Sequence, residues 1–298
     1  MFTRRHPFLF FVLVFTAIVA SAVVLTSLIS AVTQEKGDLG FGEKVGVVEI
    51  EGMITDAREV LDRIRAFREA DSVKAIVLRI NSPGGAVGPA QEIYREVEKT
   101  VKQKRVVASL GPVAASGGYY VAASADRIMA SPGTVTGSIG VIMAYTNFRE
   151  LFEKIGLRPV VIKSGKYKDM GSPLREISDE ERALLQKFTD TVHEQFITDV
   201  AEGRGKKPEA VREIADGRIF SGAAARELGL IDRLGNQRDA VVWAGRLAGI
   251  KGRVRAVYPP EEKPSLLEYA MDMIESRFKA MLQDFTSVPG AYLYAPGR

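Results

Sequence analysis

The residues best suited to chemistry gather at three glycine-rich junctions: Asn81-Ser-Pro-Gly-Gly85, Gly111-Pro-Val-Ala-Ala-Ser116-Gly-Gly118 and Pro132-Gly-Thr-Val-Thr-Gly-Ser138-Ile-Gly140. Adjacent glycines can turn backbone N–H groups toward a pocket, as an oxyanion hole requires, although a strand-to-helix turn needs glycine anyway. Ser116 is the candidate nucleophile. Ala114, Ala115, Gly117 and Gly118 leave room for a polypeptide to reach its hydroxyl, and the N–H that follows it would face a developing oxyanion. The ordinary role of a serine at a helix start is an N-cap. The Gly-x-Ser-x-Gly elbow is absent, since position 114 is alanine.

A serine hydroxyl needs a base, and histidine is scarce: the chain holds only His6 and His193. His6 sits beside Arg4 and Arg5 in an N-terminal flank. His193 lies at the edge of a helical stripe made by Ala183, Leu184, Phe188, Val192, Phe196 and Ile197, which reads as a structural surface position. Cysteine is absent, which excludes thiol catalysis and thiolate metal sites. Lysine becomes the candidate base, and Lys163, Lys166 and Lys168 are indistinguishable on spacing alone.

The elements that must position these residues alternate. Val45–Glu51, Ala75–Ile80 and Val106–Leu110 read as strands, and Ala57–Phe67 and Ala90–Val101 as helices, which predicts a parallel sheet covered by helices. A helix starts near Ser116, strands follow at Arg127–Ala130 and Arg158–Lys163, and a long helix at Ser178–Glu202 opens with acidic residues. A short strand past Gly217 leads to Gly222–Leu230 and the helix Asp239–Ala248.

Pro7 to Val32 carry no charged side chain, and as a helix they would reach roughly 39 Å, enough to cross a bilayer core. The run continues well past the cleavage-like Ala20-Ser-Ala22, so an uncleaved anchor is expected, with Arg4 and Arg5 holding the N-terminus in the cytosol. The glycine-containing stretch after it reads as a linker, and Gly40-Phe-Gly42 follows no strand and is no dinucleotide fingerprint. A net charge of +4 without dense basic runs points away from nucleic acid. Ser265–Gln283 reads as an amphipathic helix.

Taken together and in order, Asn81-Ser-Pro-Gly-Gly85, Ala115-Ser-Gly-Gly-Tyr-Tyr120, Thr136-Gly-Ser-Ile-Gly-Val141, Lys163-Ser-Gly-Lys-Tyr-Lys-Asp169, Gly217-Arg-Ile-Phe-Ser-Gly222 and Gly229-Leu-Ile-Asp232 resemble the signal peptide peptidase SppA family in its short, single-repeat form. The resemblance spans residues 45 to 257 and implies a crotonase-like α/β fold shared with ClpP peptidases. It implies Ser116 as nucleophile, Lys168 as general base, Ser138 as the residue orienting the lysine, and Gly85 and Gly117 as the oxyanion hole. It implies no cofactor and no metal. Remnant signal peptides or other apolar peptides are the implied substrates, with the lysine supplied by a neighbour in a ring-like homo-oligomer. The chain would then divide into a flank and transmembrane anchor (1–33), a linker (34–44), a peptidase domain outside the bacterial cytoplasmic membrane (45–258) and a helical tail (259–298). A crotonase-like acyl-CoA enzyme and a non-catalytic membrane scaffold are the competing readings of the same fold.

Overall fold

The computed structural model describes residues 43–259 and, before them, only Phe8, Phe15, Thr16 and residues 18–21. Its centre is three long parallel strands, β1 (Lys44–Ile54), β2 (Val73–Gly85) and β3 (Arg105–Ala115). With β4 (Arg127–Ala130), β5 (Val135–Gly137), β6 (Ile219–Ser221), β7 (Arg233–Leu234) and β8 (Arg255–Val257) they form an 8-stranded sheet of order β6-β5-β3-β2-β1-β8, from which β4 and β7 branch beside β3. Pairing is parallel except between β5 and β6. Ala75, Ile76, Val77, Leu78 and Ile80 are all fully buried, so this strand reads as one apolar run, as expected of a sheet covered on both faces.

Alternate residues of each strand serve opposite faces. Val45, Val47, Ala75, Val77 and Val107 pack with Ala240, Val241 and Ala244 of α8 (Gln237–Leu247). Val48, Ile50, Ile76, Leu78 and Ile80 face the larger core, shared with α1 (Arg58–Glu69), α2 (Val87–Val101), α3 (Gly117–Ala123) and α5 (Asp179–Arg204). Each fully buried aliphatic side chain there contributes about 2 kcal/mol. The long helix α5 begins with a capping box: Ser178 Oγ accepts the Glu181 N–H at 3.2 Å and the Glu181 carboxylate accepts the Ser178 N–H at 3.0 Å. It ends at Gly205, which has a positive φ of 60°. Shorter helices α4 (Arg149–Lys154), α6 (Pro208–Arg212) and α7 (Gly222–Glu227) complete the described elements.

Two expectations change. Asn81–Gly85 and Gly111–Ala115, read as turns, are strand: pairing resumes at Ser82 opposite Ala114 after a register shift past Ile80. Arg158–Lys163, read as a strand, has no regular structure, and Val160 and Ile162 are 84% and 96% exposed. A strand needs a neighbour for its backbone groups, and no described segment supplies one here. The expected anchor lies largely outside the described residues; the few described within it are helical and exposed, and no helix among the described residues is long and apolar enough to cross a membrane. Most of the linker, and the tail helix Ser265–Gln283, also lie outside them.

Candidate active site

Ser116 sits between the end of β3 and the start of α3 with φ 52° and ψ −123°, a conformation that L-residues rarely adopt. It occupies the N-cap position, yet its side chain makes no capping hydrogen bond. The ordinary role for this serine is therefore vacant. Backbone bonds hold the turn, with the Ser116 N–H donating to Gly137 O at 2.9 Å and the Tyr120 N–H donating to Ser116 O at 2.8 Å. This is the strained strand-to-helix geometry of a nucleophile elbow, reached without its sequence pattern.

The Gly84–Gly85 turn closes against it. Gly84 has φ 106°, and a methyl group there would lie 2.9 Å from Ser116 Cβ and 2.8 Å from Gly117 N. At Gly85 the added carbon would meet Ile54 O at 2.2 Å. Only glycine permits this approach of the two junctions. Buried hydroxyls pin the surrounding backbone: Ser82 Oγ accepts the Gly84 N–H at 3.1 Å, Thr134 Oγ1 donates to Gly111 O at 2.9 Å, and Thr136 Oγ1 donates to Ala114 O at 2.7 Å.

A cavity of about 530 Å³ opens over this turn, and Gly85, Ser116, Gly117 and Ser138 all line it. Four of the five residues expected at the site thus meet at one cavity. The fifth does not join them: Lys168 is exposed, and no lysine is among the cavity's lining residues. Its segment is nevertheless tethered. Arg175 Nε reaches Asp169 Oδ2 at 2.9 Å and Arg175 Nη1 reaches Glu181 Oε2 at 2.8 Å, tying the residue after Lys168 to the start of α5. The Arg175 guanidinium, with Lys163 behind it, holds the Asp169 carboxyl well below the usual carboxylate range. The same guanidinium, helped by the Ser178 N–H, brings Glu181 down to about 2. Lys163 pairs with Asp169 and Lys166 with Glu180, which leaves Lys168 as the one of the three lysines without an ion pair among the described residues.

The sequence reading placed one titratable cavity residue elsewhere. His193, assigned to a helix surface, lines the Ser116 cavity together with Gln186, Thr189, Val192 and Phe196 of α5. Helical periodicity places it correctly at the edge of the apolar stripe; nothing in the local pattern reveals that this edge borders a cavity.

Residues 98–251 match Peptidase family S49, and residues 46–135 match the Clp protease family. The protein slr0021 of Synechocystis sp. is 45% identical over 210 residues, covering 70% of this chain and 76% of that one. The chloroplastic serine protease SPPA of Arabidopsis thaliana is 34% identical over 74% of this chain, a match that spans 33% of the relative. Among solved structures, a mutant of the membrane-bound stomatin-specific protease 1510-N superposes with a TM-score of 0.51 at 18% identity, covering 74% of this chain and 99% of the other. The mixed sheet with helices on both faces is a ClpP-like fold.

Proposed function

Because the chain belongs to peptidase family S49 and is a serine-type peptidase, we propose that it hydrolyses apolar peptides at a membrane surface with Ser116 as nucleophile and Lys168 as general base. The observation that carries this reading is the strained, uncapped Ser116 at the head of the cavity. Lys168 takes the proton from Ser116 Oγ as the oxygen attacks the peptide carbonyl. The N–H groups of Gly85 and Gly117 receive the negative charge that develops on the carbonyl oxygen. The proton passes to the leaving amine, and the lysine then activates water to release the acyl group. Ser138, beside Ser116 at the cavity, orients the amine.

An ordinary lysine is almost wholly protonated at neutral pH, so a lysine base depends on burial. Lys168 is exposed within one chain, and in this reading a second copy buries it and carries it to that copy's Ser116. The surface beside it supports such an assembly. Ile142, Leu151, Ile155, Val160 and Ile162 are each more than half exposed, and α4 buries none of its residues. Exposed apolar side chains gathered within residues 142–162 suit a protein interface. A ring-like homo-oligomer is the arrangement in which every copy both gives and receives a lysine.

The apolar run Pro7–Val32 anchors this assembly in the cytoplasmic membrane, with the catalytic part outside the cytoplasm. Remnant signal peptides and other apolar segments released at the bilayer are the fitting substrates. The test is a serine-directed acylating probe. It is expected to label Ser116 in the wild type and to fail with Ser116→Ala and Lys168→Ala; undiminished labelling of Lys168→Ala would sink the dyad.

A further inference from the structure

The Ser116 cavity holds a polar group for which the proposed hydrolysis has no use. His193 lines it from the middle of α5, and Val87, Ala90 and Gln91 of α2 belong to the same lining. The imidazole Nε2 is shielded from solvent and has no hydrogen-bond partner among the described residues. A buried nitrogen without a partner forfeits its hydration and gains nothing in return. Its polar neighbours on that wall each have a partner. Gln186 Nε2 donates to Asp190 at 2.7 Å, Thr189 Oγ1 donates to Leu185 O at 2.9 Å, and Gln91 Nε2 donates to Gln195 at 3.1 Å. His193 Nε2 is the atom of the described lining that is both shielded from solvent and without a partner.

We infer that His193 is a specificity-determining residue: its imidazole turns to hydrogen-bond a hydroxyl at the tip of a substrate side chain that fills this cavity. Tyrosine is then preferred over phenylalanine, and threonine over valine, at the peptide position that enters it. Val87, Ala90, Val192 and Phe196 receive the apolar body of such a side chain. An anionic tip is disfavoured, because the Asp190 carboxylate lies in the same lining. A hydroxyl both donates and accepts, so it suits an imidazole nitrogen with or without a proton. A site built to bond a hydroxyl rejects the analogue that lacks it, because the protein's own buried group is then left unpaired.

This inference rests on the peptidase reading, and the experiment separates the two. Peptides differing only in Tyr against Phe, or Thr against Val, are compared by kcat/KM with the full-length protein and by affinity with its Ser116→Ala variant. The hydroxyl peptide is expected to be favoured about two- to tenfold in both, the range a single neutral hydrogen bond supplies. His193→Phe abolishes that preference, and His193→Gln, which keeps a donor and an acceptor, restores part of it. A preference absent from the wild type, or surviving in His193→Phe, overturns the inference. So does a His193→Phe protein that falls to the Ser116→Ala level with every peptide, which would make His193 the base. If the wild type cleaves no peptide, the peptidase reading fails, and the affinity comparison still decides the role of His193.

Discussion

Ser116 and Ser138 leave the sheet side by side, each one residue beyond the Ala115–Gly137 pair that ends the β3–β5 ladder. They are also the two non-glycine residues with positive φ among the described residues, at 52° and 51°. Such conformations cost of order 1–3 kcal/mol each and persist only where the surroundings over-determine them. Here the Ser116 N–H is held by Gly137 O and the Ser138 N–H by Arg218 O, both at 2.9 Å. Two strained hydroxyl-bearing residues at one strand end, lining one cavity, mark the place where the fold accepts local instability.

Glycine at position 116 should release that strain. Ser116→Gly is expected to lose all peptidase activity while melting about 2–4 °C higher for each kcal/mol of strain relieved. Ser116→Ala loses activity equally but keeps its Cβ and gains nothing. Scanning calorimetry of the two variants side by side checks this. A glycine variant that melts no higher than the alanine one would show that the turn stores no strain.

The glycines around Ser116 differ in what they tolerate. Gly84→Ala combines a positive φ of 106° with a carbon 2.8 Å from Gly117 N, and should cost more than about 1 kcal/mol along with the activity. At Gly117 the added carbon meets nothing nearer than 3.4 Å. Gly117→Ala should melt within about 0.5 kcal/mol of the wild type. Equal destabilisation by both would mean that the Gly84 turn is not packed on Ser116 as described.

Sharing of the site between copies predicts complementation. Ser116→Ala and Lys168→Ala should each be inactive alone, and after subunit exchange a one-to-one mixture should regain about one quarter of wild-type activity, the share of sites that join an intact serine to an intact lysine. Failure to recover activity under conditions where exchange is independently seen would rule out a shared dyad.

What was legible in the sequence follows a physical division. The alternation of strand and helix from Val45 to Val101 was readable because each element buries a face with its own period. The ends of β2 and β3 were not, since glycine and proline in Asn81–Gly85 and Gly111–Ala115 signal turns locally, while pairing of Ser82 with Ala114 is decided across the sheet. Val160-Val-Ile162 has the composition of a strand but lacks a pairing neighbour among the described residues. Ser116 stood out because its small neighbours lie beside it in sequence. His193 was dismissed because its cavity is completed by α2, about a hundred residues away.

Acid should loosen the Lys168 segment first. Glu181 is depressed from 4.5 to about 2 by Arg175, and Asp169 is depressed by the same guanidinium. Both carboxylates therefore stabilise the fold fully above their ordinary range and lose that contribution as pH falls through the depressed values. Urea unfolding between pH 5 and about pH 2 is expected to show this loss in the wild type, and a flatter profile in Arg175→Ala. Parallel profiles for the two proteins would dissociate Arg175 from the acid response. Limited proteolysis near Lys168 should accelerate over the same interval in the wild type.

Behind Ser116, Tyr120 links the position of α5 to that of α3. Its hydroxyl donates to the Asp199 carboxylate, which is 6% exposed, while Tyr94 donates to Asp199 O at 2.9 Å and Arg95 Nη2 to Oδ1 at 3.3 Å. Burial first, and then the Asp199 carboxylate, push the Tyr120 hydroxyl well above the ordinary phenol range, so it remains a donor throughout the working pH. The Tyr120 ring lies 4.8 Å from that of Tyr94 and 4.9 Å from that of Phe196, contacts that Tyr120→Phe preserves. That variant therefore isolates the hydroxyl. It leaves a buried carboxylate short of one donor, at a cost of about 1–3 kcal/mol. Because the Tyr120 N–H also caps onto Ser116 O at 2.8 Å, the loosened helix should slow acylation of Ser116 by the probe. Tyr94→Phe removes a bond to a backbone carbonyl instead, and is expected to cost about 0.5–1.5 kcal/mol with acylation unchanged. If both variants slow acylation equally, the effect belongs to general stability, and Tyr120 holds no particular line to Ser116.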